Sequence, residues 1–269
     1  MIDGKEFSPG YEFEQLDDDR FEVTFPHRFG GLTLAAVTLL AGRSCPDKRL
    51  RSSHMWFLRG TPVDTPFQLE IERIRDGRML SHRRVKLVHE DKLLVEFTAS
   101  YTSDTEGMGA PSMTMQPGLP QPEDLMHEEE LAKKLGWEWW SKEGYEWRLV
   151  GTPYKYGTGT SRTWHGWVKP FEPFKAEDAV HASAFAYMSD NHSEYGAGLH
   201  NEKFDHDSYV SLDNAIWAHR PIVWHDWLLV SSTCDIGVDG RVFTRRNVFT
   251  RDGDLMATIA QEAQYLGPY

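Results

Sequence analysis

The second half of this 269-residue chain repeats the first, and where the two differ the second half carries polar residues at positions that the first fills with apolar ones. Asp76-Gly77-Arg78, followed by Arg83-Arg84-Val85, returns as Asp239-Gly240-Arg241, followed by Arg245, Arg246 and Val248. The alternating run Leu93, Val95, Phe97, Ala99 returns as Leu255, Ala257, Ile259, Gln261, and Trp56 to Arg59 returns as Trp217 to Arg220. A duplicated strand-rich unit of this size implies two similar modules, with a site built from the odd polar residues of one copy.

Composition narrows the partners. Hydrophobic residues make up 40% of the chain, enough to bury a full core. The formal charge of -12, from 29 basic and 41 acidic side chains, repels phosphate backbones and anionic lipid, so neither nucleic acid nor a membrane surface is expected as a partner. Cys45 and Cys234, one in each copy and without CxxC spacing, fit a reducing compartment; a bridge between the copies is the alternative. No apolar run approaches the ~20 residues of a membrane span, and the tail Tyr265 to Tyr269 matches no address signal, so a cytoplasmic location is expected.

Along the chain, residues 1 to about 20 are polar and read as a loosely held opening segment. Phe21 to Phe25 alternates as a strand that Pro26 ends. Phe29-Gly30-Gly31 then opens a helix over Leu32 to Ala41 that is apolar nearly all round and therefore buried. A strand-rich section follows to about Thr102, in which Leu69 and Ile71 alternate with Glu70 and Glu72, as in a sheet with one wet face. Residues 103 to 124, rich in Gly and Pro, read as a linker. An acidic helical stretch with Trp137, Trp139, Trp140 and Trp147 comes next, the tryptophans read as packing on the sheets, with a ligand cage as the lesser reading. The second copy runs from a strand at Thr163 to Lys169 through a helix over Ala182 to Asp190 to strands between Tyr209 and Tyr265. Each copy is thus a strand, a buried helix and an antiparallel sheet around it, which is α+β and describes a hotdog module. The expected division is 1–105 for the first module, 106–160 for the linker and its acidic helix, and 161–269 for the second module.

Three polar residues stand out. Asp190 lies on the Ala182 and Ala186 line of a helix expected inside the sheet, where a carboxylate is costly unless well hydrogen-bonded. A helix C-terminal residue capping the Asn191-His192 turn explains it equally well. Gln261 falls on the Leu255, Ala257, Ile259 face where the first copy has Ala99, and an amide there needs partners, unless it is simply a strand-end residue at the rim. Ser211 starts the strand Ser211 to Trp217 at the place of roughly Leu50. A carboxylate, a hydroxyl and a carboxamide with no basic activator of a nucleophile suit the holding and polarising of a water that attacks a carbonyl. Backbone N–H groups at a buried helix N-terminus could hold the oxyanion, and a thioester is electrophilic enough for such machinery. Rival chemistries fare worse. Asp205-His206-Asp207 lacks a second cluster at zinc spacing, Cys234 has no placed histidine, and Gly157 to Thr160 lacks the spacing of a phosphate loop. Arg83-Arg84 and Arg245-Arg246 read as charged sheet edges, with a phosphate contact as the other reading.

Taken in order, Arg28-Phe29-Gly30-Gly31, His54 to Arg59, Glu72 to Gly77 with Arg83-Arg84-Val85, Thr98-Ala99-Ser100-Tyr101, Ser189-Asp190, Ser211-Leu212-Asp213 to Arg220-Pro221 and Thr250 to Glu262 resemble the type II acyl-CoA thioesterases, which are double-hotdog enzymes. The resemblance runs from about Phe21 to Gln264. It implies that Asp190, Ser211 and Gln261 are the catalytic residues that bind the attacking water, and that an acyl thioester is hydrolysed to a free acid and CoA. Gly30, Gly31, Arg83, Arg84 and Ala218 are then the expected substrate-binding positions. No metal or redox cofactor is implied, and a homo-oligomer is expected by analogy. This chain departs from the family at Leu32, Asn214, Ala218 and Gly60 and over Asn191 to Glu194. Ala218 stands for a phenylalanine, which points to a changed acyl pocket. Other acyl-thioester chemistry of the hydratase or dehydratase kind, with an imidazole such as His192 beside Asp190, and a silent acyl-CoA-binding protein are the alternatives.

Overall fold

The structure is a computed structural model that describes residues 10–103, 109, 111–135, 144–151, 162–172, 177–192 and 209–267. In chain order, strands β1 (Glu12–Gln15) and β2 (Arg20–Thr24) lead into helix α1 (Gly30–Arg43) and strands β3 (Arg49–Phe57), β4 (Pro66–Asp76), β5 (Leu80–His89) and β6 (Lys92–Thr102). Then come a short 3-10 turn at Pro122–Asp124, helix α2 (Glu128–Leu135), strands β7 (Tyr145–Leu149) and β8 (Thr163–Pro170), and helix α3 (Asp178–Ser189). Strands β9 (Tyr209–Ser211), β10 (Asp213–Ala218), β11 (Leu228–Val238), β12 (Arg241–Thr250) and β13 (Leu255–Tyr265) complete the order. The chain divides into two compact units, one of Met1–Ala110, Lys175–Asn191 and Ser211–Val223, the other of Pro111–Phe174, His192–Val210 and Trp224–Tyr269.

In the first unit the strand order is β1-β2-β4-β5-β6-β3-β10, with antiparallel neighbours. Phe67, Leu69 and Ile71 of β4, Val85 and Leu87 of β5, and Val95, Phe97 and Ala99 of β6 are buried, while Gln68, Glu70 and Glu72 face water. Helix α1 is buried over Gly31 to Gly42, and the reason lies in its small residues. A Cβ on Gly42 would meet that of Ala179 at 2.9 Å, one on Gly31 would meet the Tyr187 carbonyl oxygen at 2.5 Å, and Ser183 donates its hydroxyl to the Ala35 carbonyl at 2.9 Å. Helices α1 and α3 therefore run antiparallel at backbone contact distance, which only Gly, Ala and Ser along both facing stripes permit. The all-round apolar pattern of α1 records this double cover, by α3 as well as by strands.

In the second unit the order is β13-β12-β11-β8-β7, with β9 also pairing with β13. Trp167, Trp227, Leu229 and Phe249 form a core cluster, and Met115, Leu119 and Leu125 pack against it. The Trp167 indole donates to the Pro120 carbonyl at 2.9 Å, and Arg148 donates to the carbonyls of Pro122 at 2.9 Å and Leu125 at 3.2 Å. The proline-rich stretch read as a linker is thus tied onto this core from Met115 onward. Cys45 and Cys234 are both free and buried.

Four expectations are corrected. The opening segment contains strand β1, all four residues of which are exposed, so no apolar alternation marked it. Trp147 lies on strand β7 and is buried, not on a helix; α2 is confined to Glu128–Leu135, and Trp137, Trp139 and Trp140 lie outside the described residues. The arginine pairs are not at sheet edges, because β5 lies between β4 and β6 and β12 between β11 and β13. The fourth concerns the register of the repeat. Strands β4 and β5 shift register between Arg73 and Arg75, and β11 and β12 between Cys234 and Ile236. The next pair shifts at Leu87/Val88, and its counterpart at Val248/Phe249. Matching these irregularities makes Arg83 the counterpart of Thr244 and Val85 that of Arg246, whereas Ala99 and Gln261 do correspond. Asp239-Gly240 is a turn tip in which both residues have positive φ, of 52° and 72°, and its likeness to Asp76-Gly77 comes from turn chemistry, not from matching places in the ladder.

Candidate active site

The end of helix α3 gathers the first two of the expected catalytic residues. Asp190 is the C-cap of α3 and is 7% exposed. Ser211, the last residue of β9 and half-buried, donates its hydroxyl to Asp190 Oδ1 at 2.9 Å. The other carboxylate oxygen, Oδ2, lies 2.5 Å from where a Cβ on Gly30 would stand. Gly30 is the first residue of α1, whose first turn has neither an acidic residue nor a side-chain cap. A carboxylate at the C-terminus of its own helix sits at the wrong end of that helix's dipole; the N-terminus of α1 and the Ser211 hydroxyl offset this. A glycine at this point is required by space, since a methyl group would push on the carboxylate.

Asn214 on β10 steadies the same turn. It is 1% exposed, accepts from the Ser189 hydroxyl at 3.4 Å and donates its amide to the Ser189 carbonyl at 3.4 Å, gripping the residue before Asp190. Phe57, at the end of β3, has two ring carbons 2.9 Å from the same point above Gly30, and its N–H donates to the Leu212 carbonyl at 2.9 Å. Sequence reasoning missed Phe57. The repeat of Trp56 to Arg59 as Trp217 to Arg220 matches Phe57 with Ala218, and the pairing of β3 and β10 around His54↔Ala215 agrees, but neither puts the ring beside Asp190. Ala218 itself ends β10, half-buried.

Gln261 belongs to the second unit, on the buried face of β13, and is 1% exposed. Arg246 donates from Nη2 to its Oε1 at 2.5 Å, and Thr244 stands opposite it in the ladder. The amide is therefore a paired interior group and not a rim residue.

The two arginines expected at substrate-binding positions both have partners within the protein. Arg83 is 1% exposed, and its guanidinium donates to the Ser44 hydroxyl and carbonyl, the Arg75 and His82 carbonyls and Asp76 Oδ1, at 2.6 to 3.3 Å. These bonds use all its N–H donors and pin the C-cap of α1 to the β4–β5 hairpin. Arg84 faces outward and pairs with Glu72 at 2.9 Å and Glu96 at 3.3 Å on the flanking strands. His192 is buried with its ring edge-on to Trp147, at 4.8 Å between centroids, and to Trp164, at 6.0 Å, and its Nε2 is 3.5 Å from Glu128 Oε1. Burial pushes the Cys234 thiol up, away from the thiolate a nucleophile needs. No group of three or more metal-ligating side chains occurs among the described residues; Asp205 to Asp207 and Gly157 to Thr160 lie outside them. No helix among the described residues is long and apolar enough to cross a membrane.

The first unit is an antiparallel sheet on small-residue helices, with a carboxylate and a hydroxyl joined beside a helix N-terminus. Known proteins supply the family. A family model described as the acyl-CoA thioesterase N-terminal domain matches residues 20–102, and one described as the acyl-CoA thioesterase C-terminal domain matches residues 111–265. The chain is 26% identical over 270 residues to acyl-CoA thioesterase 2 of Haemophilus influenzae, covering 93% of each protein. It matches the crystal structure of acyl-CoA thioesterase II TesB2 from Mycobacterium marinum with a TM-score of 0.78, at 26% identity over 96% of both chains. A hot dog-fold protein of unknown function from Alicyclobacillus acidocaldarius matches with a TM-score of 0.76, at 18% identity over 96% of this chain and 97% of that one, which bears on fold alone. The chain belongs to the type II acyl-CoA thioesterase family.

Proposed function

We propose that this protein is a double-hotdog acyl-CoA thioesterase, with modules over 1–105 and 161–269, and that it hydrolyses an acyl thioester through a water held by Asp190, Ser211 and Gln261. Asp190 accepts a proton from the water as its oxygen attacks the thioester carbon, and N–H groups at the start of α1 receive the oxyanion. Collapse of the tetrahedral intermediate breaks the C–S bond, and the proton held on Asp190 goes to the departing thiolate. The products are a carboxylic acid and a free thiol. The observation that carries this reading is the 2.9 Å bond between Ser211 and a buried Asp190 next to the glycine-opened N-terminus of α1. For Gln261 the support is a carboxamide on an interior strand face where the first copy has Ala99. The likeness to proteins named acyl-CoA thioesterases supplies the substrate class.

The test is thiol release followed with a thiol-trapping dye over a series of straight-chain acyl-CoA thioesters. Turnover well above spontaneous hydrolysis is expected for at least one chain length. Tight binding of the whole series with no thiol released would replace the hydrolase by a binding protein.

A further inference from the structure

We infer that Phe57 decides which acyl groups the site accepts at the carbons next to the thioester carbonyl, so that it reads branching there and not chain length. The inference rests on the hydrolase reading above. Three observations carry it. The Phe57 ring and the Asp190 carboxylate lie within 3 Å of one point over Gly30, with ring carbons at 2.9 Å and Oδ2 at 2.5 Å, so ring and acid flank the same small space. The backbone of Phe57 is bonded to Leu212, the residue after Ser211, which holds the ring against the strand break that carries the hydroxyl. Phe57, Gly30 and Ser211 are all half-buried, so this wall is reached from solvent while the carboxylate behind it is nearly covered.

Reaction geometry sets what meets that wall. A water held by Asp190 lies about 3 Å from the carboxylate, and the carbonyl carbon it attacks about 3–3.5 Å from the water. On the hydrolase reading the first carbons of the acyl group sit in the space beside the carboxylate that the ring flanks. Carbons further along a chain move away from it. A flat, rigid ring there admits a methylene but meets a second α-substituent at van der Waals distance, and one such group in an apolar contact is worth about tenfold or more in kcat/KM. Ala218, the counterpart of Phe57, offers no ring at the corresponding place in the other half. A changed acyl preference is thus expected to follow from Phe57 more than from Ala218.

The experiment compares butanoyl-CoA with 2-methylpropanoyl-CoA, and hexanoyl-CoA with decanoyl-CoA, for the wild type, Phe57→Ala and Phe57→Leu, with thermal unfolding as a check on the fold. In Phe57→Ala the ratio of branched to straight kcat/KM is expected to rise about tenfold, and in Phe57→Leu by less, while the hexanoyl to decanoyl ratio stays put. A branched to straight ratio within about twofold of the wild type in both variants, or a change in the length ratio instead, overturns the inference. If the wild type releases no thiol, the hydrolase reading fails on its own. Affinities for non-hydrolysable thioether analogues of the two four-carbon groups then decide: a shift toward the branched analogue in Phe57→Ala keeps Phe57 as the wall, and an equal change for both removes it.

Discussion

Ser211 donates its hydroxyl to the Asp190 carboxylate at 2.9 Å, across from the end of β9 to the C-cap of α3. The bond orients one oxygen and leaves the other, Oδ2, beside Gly30. Asp190→Asn keeps the shape and an oxygen for Ser211 but cannot take a proton. It is expected to lower kcat by roughly 10²–10⁴-fold, with thermal unfolding moved by only a few degrees. Thiol-release kinetics and a melting curve on the same preparation check this. Activity within tenfold of the wild type would leave Asp190 as a helix cap and nothing more.

How much of this was legible beforehand varies with what each residue answers to. The helices and most strands answer to burial, and burial leaves a period in the sequence. α1 is apolar all round because it is covered by both strands and α3, and β4 alternates because one face is wet. Residues that answer only to local backbone demands mislead: Asp239-Gly240 matches Asp76-Gly77 as a string, yet it serves a turn with positive φ two places out of register. β1 is wholly exposed and so leaves no pattern at all. Arg83 was legible as a charge but not as a buried brace, since its partners come from the α1 C-cap and the far arm of a hairpin. Phe57 looks like any strand-end aromatic until Gly30 is placed beneath it.

The two glycines that open α1 are expected to fail differently when substituted. At Gly30 the atoms nearest an added methyl belong to side chains, Asp190 Oδ2 at 2.5 Å and the Phe57 ring at 2.9 Å, and the carboxylate can turn aside. Gly30→Ala therefore keeps its stability to within about 1 kcal/mol but loses at least about tenfold in kcat, because the carboxylate is displaced. At Gly31 the methyl meets the Tyr187 carbonyl oxygen at 2.5 Å, which is backbone and moves only if α1 and α3 part. Gly31→Ala is expected to lose about 1–3 kcal/mol in urea denaturation. The reverse pattern would mean that the Gly30 contact has no bearing on the reaction.

Gln261 serves the interior and, on the proposed reading, the reaction, and two variants separate the roles. Gln261→Ala removes the acceptor of Arg246 Nη2 and leaves a guanidinium that is 1% exposed short of a partner, which is expected to cost about 1–3 kcal/mol. Gln261→Glu restores an acceptor, now charged, opposite the same arginine but cannot donate from that side chain. Both variants should be slow catalysts, while only the alanine should be clearly unstable in a denaturant melt. A glutamate variant of near-normal activity would assign Gln261 to packing alone.

Arg83 holds the β4–β5 hairpin to the end of α1, and that role predicts an acid dependence. Arg83→Met strands the carbonyls of Ser44, Arg75 and His82 and is expected to cost about 3 kcal/mol while leaving KM for an acyl-CoA unchanged, the opposite of a substrate-binding arginine. Its hydrogen bond to Asp76 holds that carboxyl below the ordinary carboxylate range. A carboxylate with a lowered folded-state pKa adds stability that is complete above its unfolded pKa of about 4 and fades as the pH falls through the folded value. Asp76→Asn is therefore expected to be less stable than the wild type at pH 7, with the gap closing below about pH 4. Because the Asp76 side chain is 51% exposed, solvent screens the pair and keeps the gap under about 1 kcal/mol. Urea titrations of both proteins from pH 7 to pH 3 measure it directly, and a gap that stays constant across that range would mean that the hairpin draws nothing from the charge on Asp76.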